Sequence, residues 1–394
     1  MSQSQMVRAA PELHILPGTP LAPVPVSVRV WLFSIAGLCF LVAVVGAVTR
    51  LTESGLSITQ WKPVTGVIPP LTDQDWLEEF TRYKQIPQFA ALNPDMTLDG
   101  FKSIFYWEWS HRLLARLIGV AFILPALWFW FRGRLKGPLG FQILVATGLL
   151  ALEPVVGWWM VSSGLADRIE VAQDRLALHL LIAAATFGAL IYAAVGLAAR
   201  PREKTSAGFD AASAGLVALI FCQLGLGALT AGLRAGYIDN TWPLMEGSLI
   251  PKGVYNLTPW VRSLIDDPTT VQFDHRLGAY AVLAVTIALA LVARRGAPGS
   301  SLSRRAMALV VLALLQAGLG VVTLVLVVPI DMALAHQAVA LLLFGMAVAH
   351  WRVTGMERAL VRRPRRSPVE TLSLAARGRP GAAVRSPRAE RPGS

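Results

Sequence analysis

In the stretch WEWSHRLLARLIGVAF (Trp107–Phe122) a glutamate and a histidine stand three residues apart where a long apolar run begins. Residues three apart on a helix share a face, so Glu108 and His111 should project into one space. The stretch VQFDHRLGAYAVLAV (Val271–Val285) repeats the His-Arg-Leu triplet, with Gln272 where the first copy has Glu108. A carboxylate can take up and release a proton, whereas an amide cannot usefully do so. The first copy therefore has the means for acid–base work beside its imidazole, and the second lacks them. Asp274 adjoins His275 but is rotated from it by about 100°, which makes it a weaker substitute. A plainer role for Glu108 is to orient an imidazole N–H from behind.

Two further histidines open apolar runs, His179 in RLALHLLIAAATFG and His336 in DMALAHQAVALLLFG. His111, His179, His275 and His336 each fall within about five residues of the same end of their runs, a common depth of about 8 Å. His14 and His350 lie outside that layer. Ionisable groups inside a membrane are costly and usually functional, and imidazoles on facing helices are a standard means of holding a haem iron from both sides. The arrangement predicts His111 paired with His179, and His275 paired with His336, each pair on one haem. Zinc fits poorly, because two imidazoles without a third protein ligand make an incomplete site. Arg112 and Arg276 follow the two triplet histidines and suit haem propionates, or else extend to the membrane surface. Trp107 and Trp109 read first as an interfacial belt.

The elements that must position these residues are helices. The 394-residue chain is 54% apolar and 15% charged, and a helix needs about 20 apolar residues to cross a bilayer. Runs of that length occupy roughly 30–48, 106–131, 139–160, 175–199, 211–232, 272–293, 306–328 and 331–351. The fold class is all-α: a polytopic membrane protein with eight transmembrane helices. GAVTR (Gly46–Arg50) ends the first run and GALTA (Gly227–Ala231) the fifth, while SHRL and DHRL open the second and sixth. These matches, kept in order, predict two parallel four-helix bundles related by internal duplication. The corresponding division is a polar leader 1–29, an N-terminal bundle 30–199, a linker 200–210, a C-terminal bundle 211–352 and a basic, disordered tail 353–394.

Basic residues cluster in alternate connections: Arg132–Lys136, Arg200–Lys204, Arg294–Arg305 and the tail. The positive-inside asymmetry then puts both termini in the cytoplasm and the histidine layer near the outer, periplasmic side. The tail after Trp351 carries eleven arginines and three glutamates, so much of the net charge of +12 resides there. It reads as a topology determinant against anionic lipid, and no motif favours nucleic acid. Cys39 and Cys222, both within apolar runs, read as buried free thiols.

The segments RLTESGLSITQWKPVTGVIPPL (Arg50–Leu71), EWSHR, GWWMVSSGL (Gly157–Leu165), AGLRAGYIDNTWPLMEG (Ala231–Gly247), QFDHRLGAY and the HQA of the last run closely resemble haem A synthases of the mitochondrial and alphaproteobacterial type. The resemblance covers roughly residues 30–352. It implies an oxidoreductase of the inner membrane that converts the C8 methyl of haem O to the formyl of haem A by successive hydroxylation, for terminal cytochrome oxidases. It implies a haem b cofactor on His275 and His336, substrate haem O on His111 and His179, and a catalytic Glu108. Haem O synthase, an electron-transfer partner and further copies of the chain are the partners expected. Two departures stand out. The outer loops have no cysteine pair, which excludes thiol redox chemistry there, and LEPVVGWW (Leu152–Trp159) has Glu153-Pro154 where the family pattern has Gln-Gly. The competing functions are a bis-histidine cytochrome b electron carrier, which leaves Glu108 unexplained, and a haem transporter or chaperone.

Overall fold

The computed structural model describes residues 26–199, 201 and 203–362. Its helices in chain order are α1 (Val26–Leu51), α2 (Asp73–Tyr83), α3 (Pro87–Leu92), α4 (Leu98–Phe131), α5 (Gly137–Ser162), α6 (Gln173–Ala198), α7 (Ala207–Gly232), α8 (Ser263–Asp266), α9 (Pro268–Gly296), α10 (Ser301–Val325) and α11 (Ile330–Arg362). Eight of them, all but α2, α3 and α8, are long and apolar enough to cross a membrane. Among the described residues there is no β-strand, only an isolated bridge between Met245 and Ser248. The chain is an all-α, multi-pass membrane protein, as the apolar runs predict.

Short polar side chains start the long helices by accepting from their first free N–H groups. Thr97 accepts from Gly100 N at α4, Ser206 from Phe209 N at α7, Asp267 from Thr269 and Thr270 N at α9, and Ser300 from Ser303 N at α10. Pro154 lies within an uninterrupted α5, so the departure at Glu153-Pro154 does not end the helix.

Helices α1, α4, α5 and α6 form one ring of neighbours, and α7, α9, α10 and α11 form another. The rings join where α6 packs on α7 and α11, and α1 on α11. That seam is tight because each side offers a glycine to an aromatic of the other. A Cβ on Gly188 would lie 2.9 Å from Phe344, and one on Gly345 would lie 2.7 Å from Phe187. Between membrane helices, such small-residue contacts supply the van der Waals packing that association depends on. The two rings differ in closure: α9 packs closely along α10, whereas α4 scarcely touches α5.

Helix α11 corrects the expected tail. It continues to Arg362 instead of giving way to disorder at residue 353. Its extension beyond the apolar run is tied down by charge: Glu357, fully buried, accepts from Thr205 and Arg305, and Arg358 pairs with Asp210. The leader up to residue 25 and the tail from 363 lie outside the described residues. The two cysteines are free, and Cys222 is exposed at the helix surface instead of buried.

The connections 52–97 and 233–267 cover the same end of the block. The first carries α2 and α3 and has its own core, in which Trp76, Phe80 and Tyr83 pack on Phe101 and Phe105 of α4. This packing is why α4 begins well before its apolar run. Arg234 pairs with both Glu53 and Glu170, which links the caps of the two rings.

The second cap turns on Asp239, whose carboxylate accepts from Thr241 N and Oγ1 and from Glu246 N. Burial alone would raise its pKa, but these donors, with Arg276 nearby, outweigh it and hold the carboxyl below its usual range. A depressed folded-state pKa stabilises the fold above the ordinary carboxyl pKa of about 3.9, and that contribution is lost as pH falls through the folded value. The Tm of the purified protein should therefore exceed that of Asp239→Asn near neutrality, and the difference should shrink as pH falls below about 4 and vanish only below the depressed folded-state value.

Candidate functional site

Each of the four membrane histidines packs against a glycine of a neighbouring helix. A Cβ on Gly46 (α1) would lie 3.0 Å from His111 (α4), and one on Gly157 (α5) 3.1 Å from His179 (α6). In the other ring, a Cβ on Gly227 (α7) would lie 3.2 Å from His275 (α9), and one on Gly320 (α10) 2.8 Å from His336 (α11). The glycines make room for imidazoles inside each ring. His179, His275 and His336 stand about two turns into their helices, while His111 lies deeper in the longer α4.

The rings of His275 and His336 are 6.4 Å apart between centroids and nearly perpendicular, at 81°. Two metal–nitrogen bonds of about 2 Å, plus about 1 Å from each nitrogen to its ring centre, place the centroids about 6 Å apart. The residues therefore fit an iron between them. Gln223 Nε2 lies 3.0 Å from His275 Nδ1 and donates to the His275 carbonyl, so the amide holds the imidazole in place from the neighbouring helix. Gln316 Nε2 is 3.1 Å from His336 Nδ1 and 3.3 Å from its Nε2. In the N-terminal ring, His111 of α4 faces Gly46 and His179 of α6 faces Gly157.

Glu108 is 2% exposed. Its Oε2 accepts from Ser57 Oγ at 2.7 Å and Ile58 N at 2.8 Å, and its Oε1 accepts from Arg112 Nη2 at 2.5 Å. Among the described residues its hydrogen bonds run to the first cap and to Arg112, with none to His111. Gln272, in the matching position, donates to the carbonyl of Asp239 in the second cap. Both triplet arginines do the same kind of work. Arg112 donates to the carbonyls of Ile58 and Gln60, and Arg276 to those of Asp239 and Thr241. His111 and His275 thus each share a helix turn with an arginine that clamps a cap over the ring.

The histidines were legible in the sequence; the glycines opposite them were not. GAVTR and GALTA set Gly46 and Gly227 in matched positions, but nothing in either motif names an imidazole as neighbour. Gly320→Ala tests the packing. The added methyl must push the His336 ring aside, and overpacking of this sort costs about 1–3 kcal/mol. The Tm of the purified protein should fall in Gly320→Ala, while Gly318→Ala, which meets nothing within 4 Å, should not lower it.

A family model described as cytochrome oxidase assembly protein matches residues 29–348. Among relatives, the heme A synthase of Beijerinckia indica is 53% identical over 338 residues, 84% of this chain and 94% of that one. The heme A synthase of Mesorhizobium japonicum is 50% identical over 327 residues (83% and 90%), and that of a Chelativorans species is 49% identical over 328 residues (83% and 91%). With both caps and all four membrane histidines inside the matched span, the chain belongs to the cytochrome oxidase assembly protein family.

Proposed function

We propose that this protein is a haem A synthase, an oxidoreductase that takes haem O as substrate and oxidises its C8 methyl to a formyl group. The observation that carries the reading is the asymmetry of two otherwise matched sites: a buried carboxylate, Glu108, beside the histidine of one ring, and an amide, Gln272, in the other. The names of the relatives agree with it.

In this reading His275 and His336 hold a resident haem b, which when bound supplies one-electron chemistry. His111 and His179 hold the substrate haem, in the ring whose α4–α5 side is nearly free of contact. A substrate must enter and leave whereas a cofactor need not, so the looser ring suits the substrate. The whole layer would face the periplasm, with both termini cytoplasmic, the side to which positive-inside asymmetry assigns the basic connections. Glu108, fixed by three donors, is the group that accepts or returns a proton near the substrate's methyl carbon. Arg112 and Arg276 keep the caps closed over the haem edges, where propionates would meet them. Haem O synthase, an electron-transfer partner and further copies of the chain are the expected associates.

The test is to purify the protein from cells supplied with haem O, extract the bound haems and identify them by mass. Haem O, its hydroxylated form or haem A beside haem b is the expected result. Haem b alone, with no altered haem formed in the cells, would replace this reading with that of a bis-histidine electron carrier.

A further inference from the structure

Four residues before each histidine-facing glycine of α5 and α10, the two rings differ a second time. Glu153 precedes Gly157, and Gln316 precedes Gly320. Each meets the histidine its glycine accommodates: Glu153 Oε2 lies 2.9 Å from His179 Nδ1, and Gln316 Nε2 lies 3.1 Å from His336 Nδ1. The N-terminal ring thus carries carboxylates, Glu108 and Glu153, at the two positions where the C-terminal ring carries amides.

The second exchange has a distinct consequence. An amide can present either its NH₂ or its oxygen to an imidazole nitrogen, so Gln316 can orient His336 whichever nitrogen bears the proton. A carboxylate can only accept, so Glu153 requires the proton on Nδ1 and leaves the Nε2 lone pair free. The contact is close but not aligned as a finished hydrogen bond: His179 Nδ1 and Glu153 Oε1 are buried and have no hydrogen-bond partner. The contact with His179 is the one polar side-chain contact of Glu153 among the described residues. Orienting the ring does not need a charge, since Gln316 manages with an amide. Keeping an anion in an apolar helix is costly, and the cost is offset where the imidazole is polarised by a metal on its far nitrogen, as in carboxylate–histidine–metal triads.

We propose that Glu153 is a positioning residue for the N-terminal haem ligand. Its carboxylate accepts the Nδ1 proton of His179, sets Nε2 as the ligating atom and makes this imidazole a stronger electron donor than His336. A stronger donor stabilises the oxidised iron, so the haem on His179 has a lower reduction potential than it would opposite an amide. The inference rests on the reading of His179 as a haem ligand given above.

The experiment uses the full-length protein in detergent with haem b added as the probe, followed by spectroelectrochemical titration. The wild type should show two components, one of which disappears in His179→Ala. That component should titrate at a higher potential in Glu153→Gln with occupancy unchanged. In Glu153→Ala its haem affinity should fall about 10–100-fold, the usual loss for a partner behind a metal ligand. Gln316→Glu should lower the potential of the other component. A His179-dependent component whose potential and affinity ignore both Glu153 substitutions overturns the inference alone. The absence of any His179-dependent component overturns the ligand assignment, and the inference with it.

Discussion

Glu108→Gln should lower the conversion of haem O to haem A by about 10²–10⁴-fold, the range that a positioned acid–base group contributes, while haem b remains at its wild-type stoichiometry. The substitution keeps shape and removes proton exchange. It also disturbs a network in which every partner is a donor: Ser57 Oγ, Ile58 N and Arg112 Nη2 all point at the carboxylate. Glutamine offers one oxygen and an NH₂ group, so at least one buried donor loses its acceptor, at a cost of about 1–3 kcal/mol. A stability loss of that size is therefore expected alongside the catalytic one, and the two must be separated. Ser57→Ala is the control, because it removes a donor from the same carboxylate without removing the carboxylate. If Glu108 served only to anchor the first cap, both variants would lose Tm together and both would turn over normally once loaded with haem O. Normal turnover by fully loaded Glu108→Gln would make the residue a structural tie.

How much of this was readable from the sequence follows from where the physics is local. An ionisable residue in an apolar run is conspicuous whatever surrounds it, so His111, His179, His275, His336 and the Glu108/Gln272 difference could be found without coordinates. Helix number and type were equally exposed, because hydrocarbon leaves a chain few alternatives to an unbroken helix. Partners were not. Nothing in the sequence distinguishes Gly320, which abuts His336, from Gly318, which abuts nothing within 4 Å. The destination of the Arg112 and Arg276 guanidiniums was hidden for the same reason. Their acceptors are backbone carbonyls of Ile58, Gln60, Asp239 and Thr241, a class of group that every residue carries. Glu153 is visible in the sequence as a departure from the family pattern, next to a proline that could break the helix. Yet α5 runs straight through it, and its contact is with an imidazole on the next helix. The tail was misjudged at its start because composition cannot foresee that Glu357 and Arg358 find Arg305 and Asp210.

Replacing the histidines one ring at a time should dissociate the two haem roles. His336→Ala and His275→Ala should each lose haem b on purification, with affinity down by more than about 100-fold, since even partners behind a metal ligand are worth 10–100-fold. His111→Ala and His179→Ala should keep haem b and fail to make haem A. The asymmetry follows from construction. In the C-terminal ring the imidazoles already stand 6.4 Å apart, and Gln223 and Gln316 engage their Nδ1 atoms. A separation of that size suits an iron held from both sides. That ring is also closed, with α9 packed along α10, which suits a group that stays in place. The N-terminal ring reverses both features: α4 and α5 scarcely meet, and His179 Nδ1 waits on an incompletely aligned carboxylate. Absorbance of pyridine extracts gives the haem per protein, and mass analysis of the same extracts gives the product. Loss of haem b from the His111 and His179 variants, with retention in the other two, would exchange the roles of the rings and make Gln272, not Glu108, the neighbour of the substrate haem.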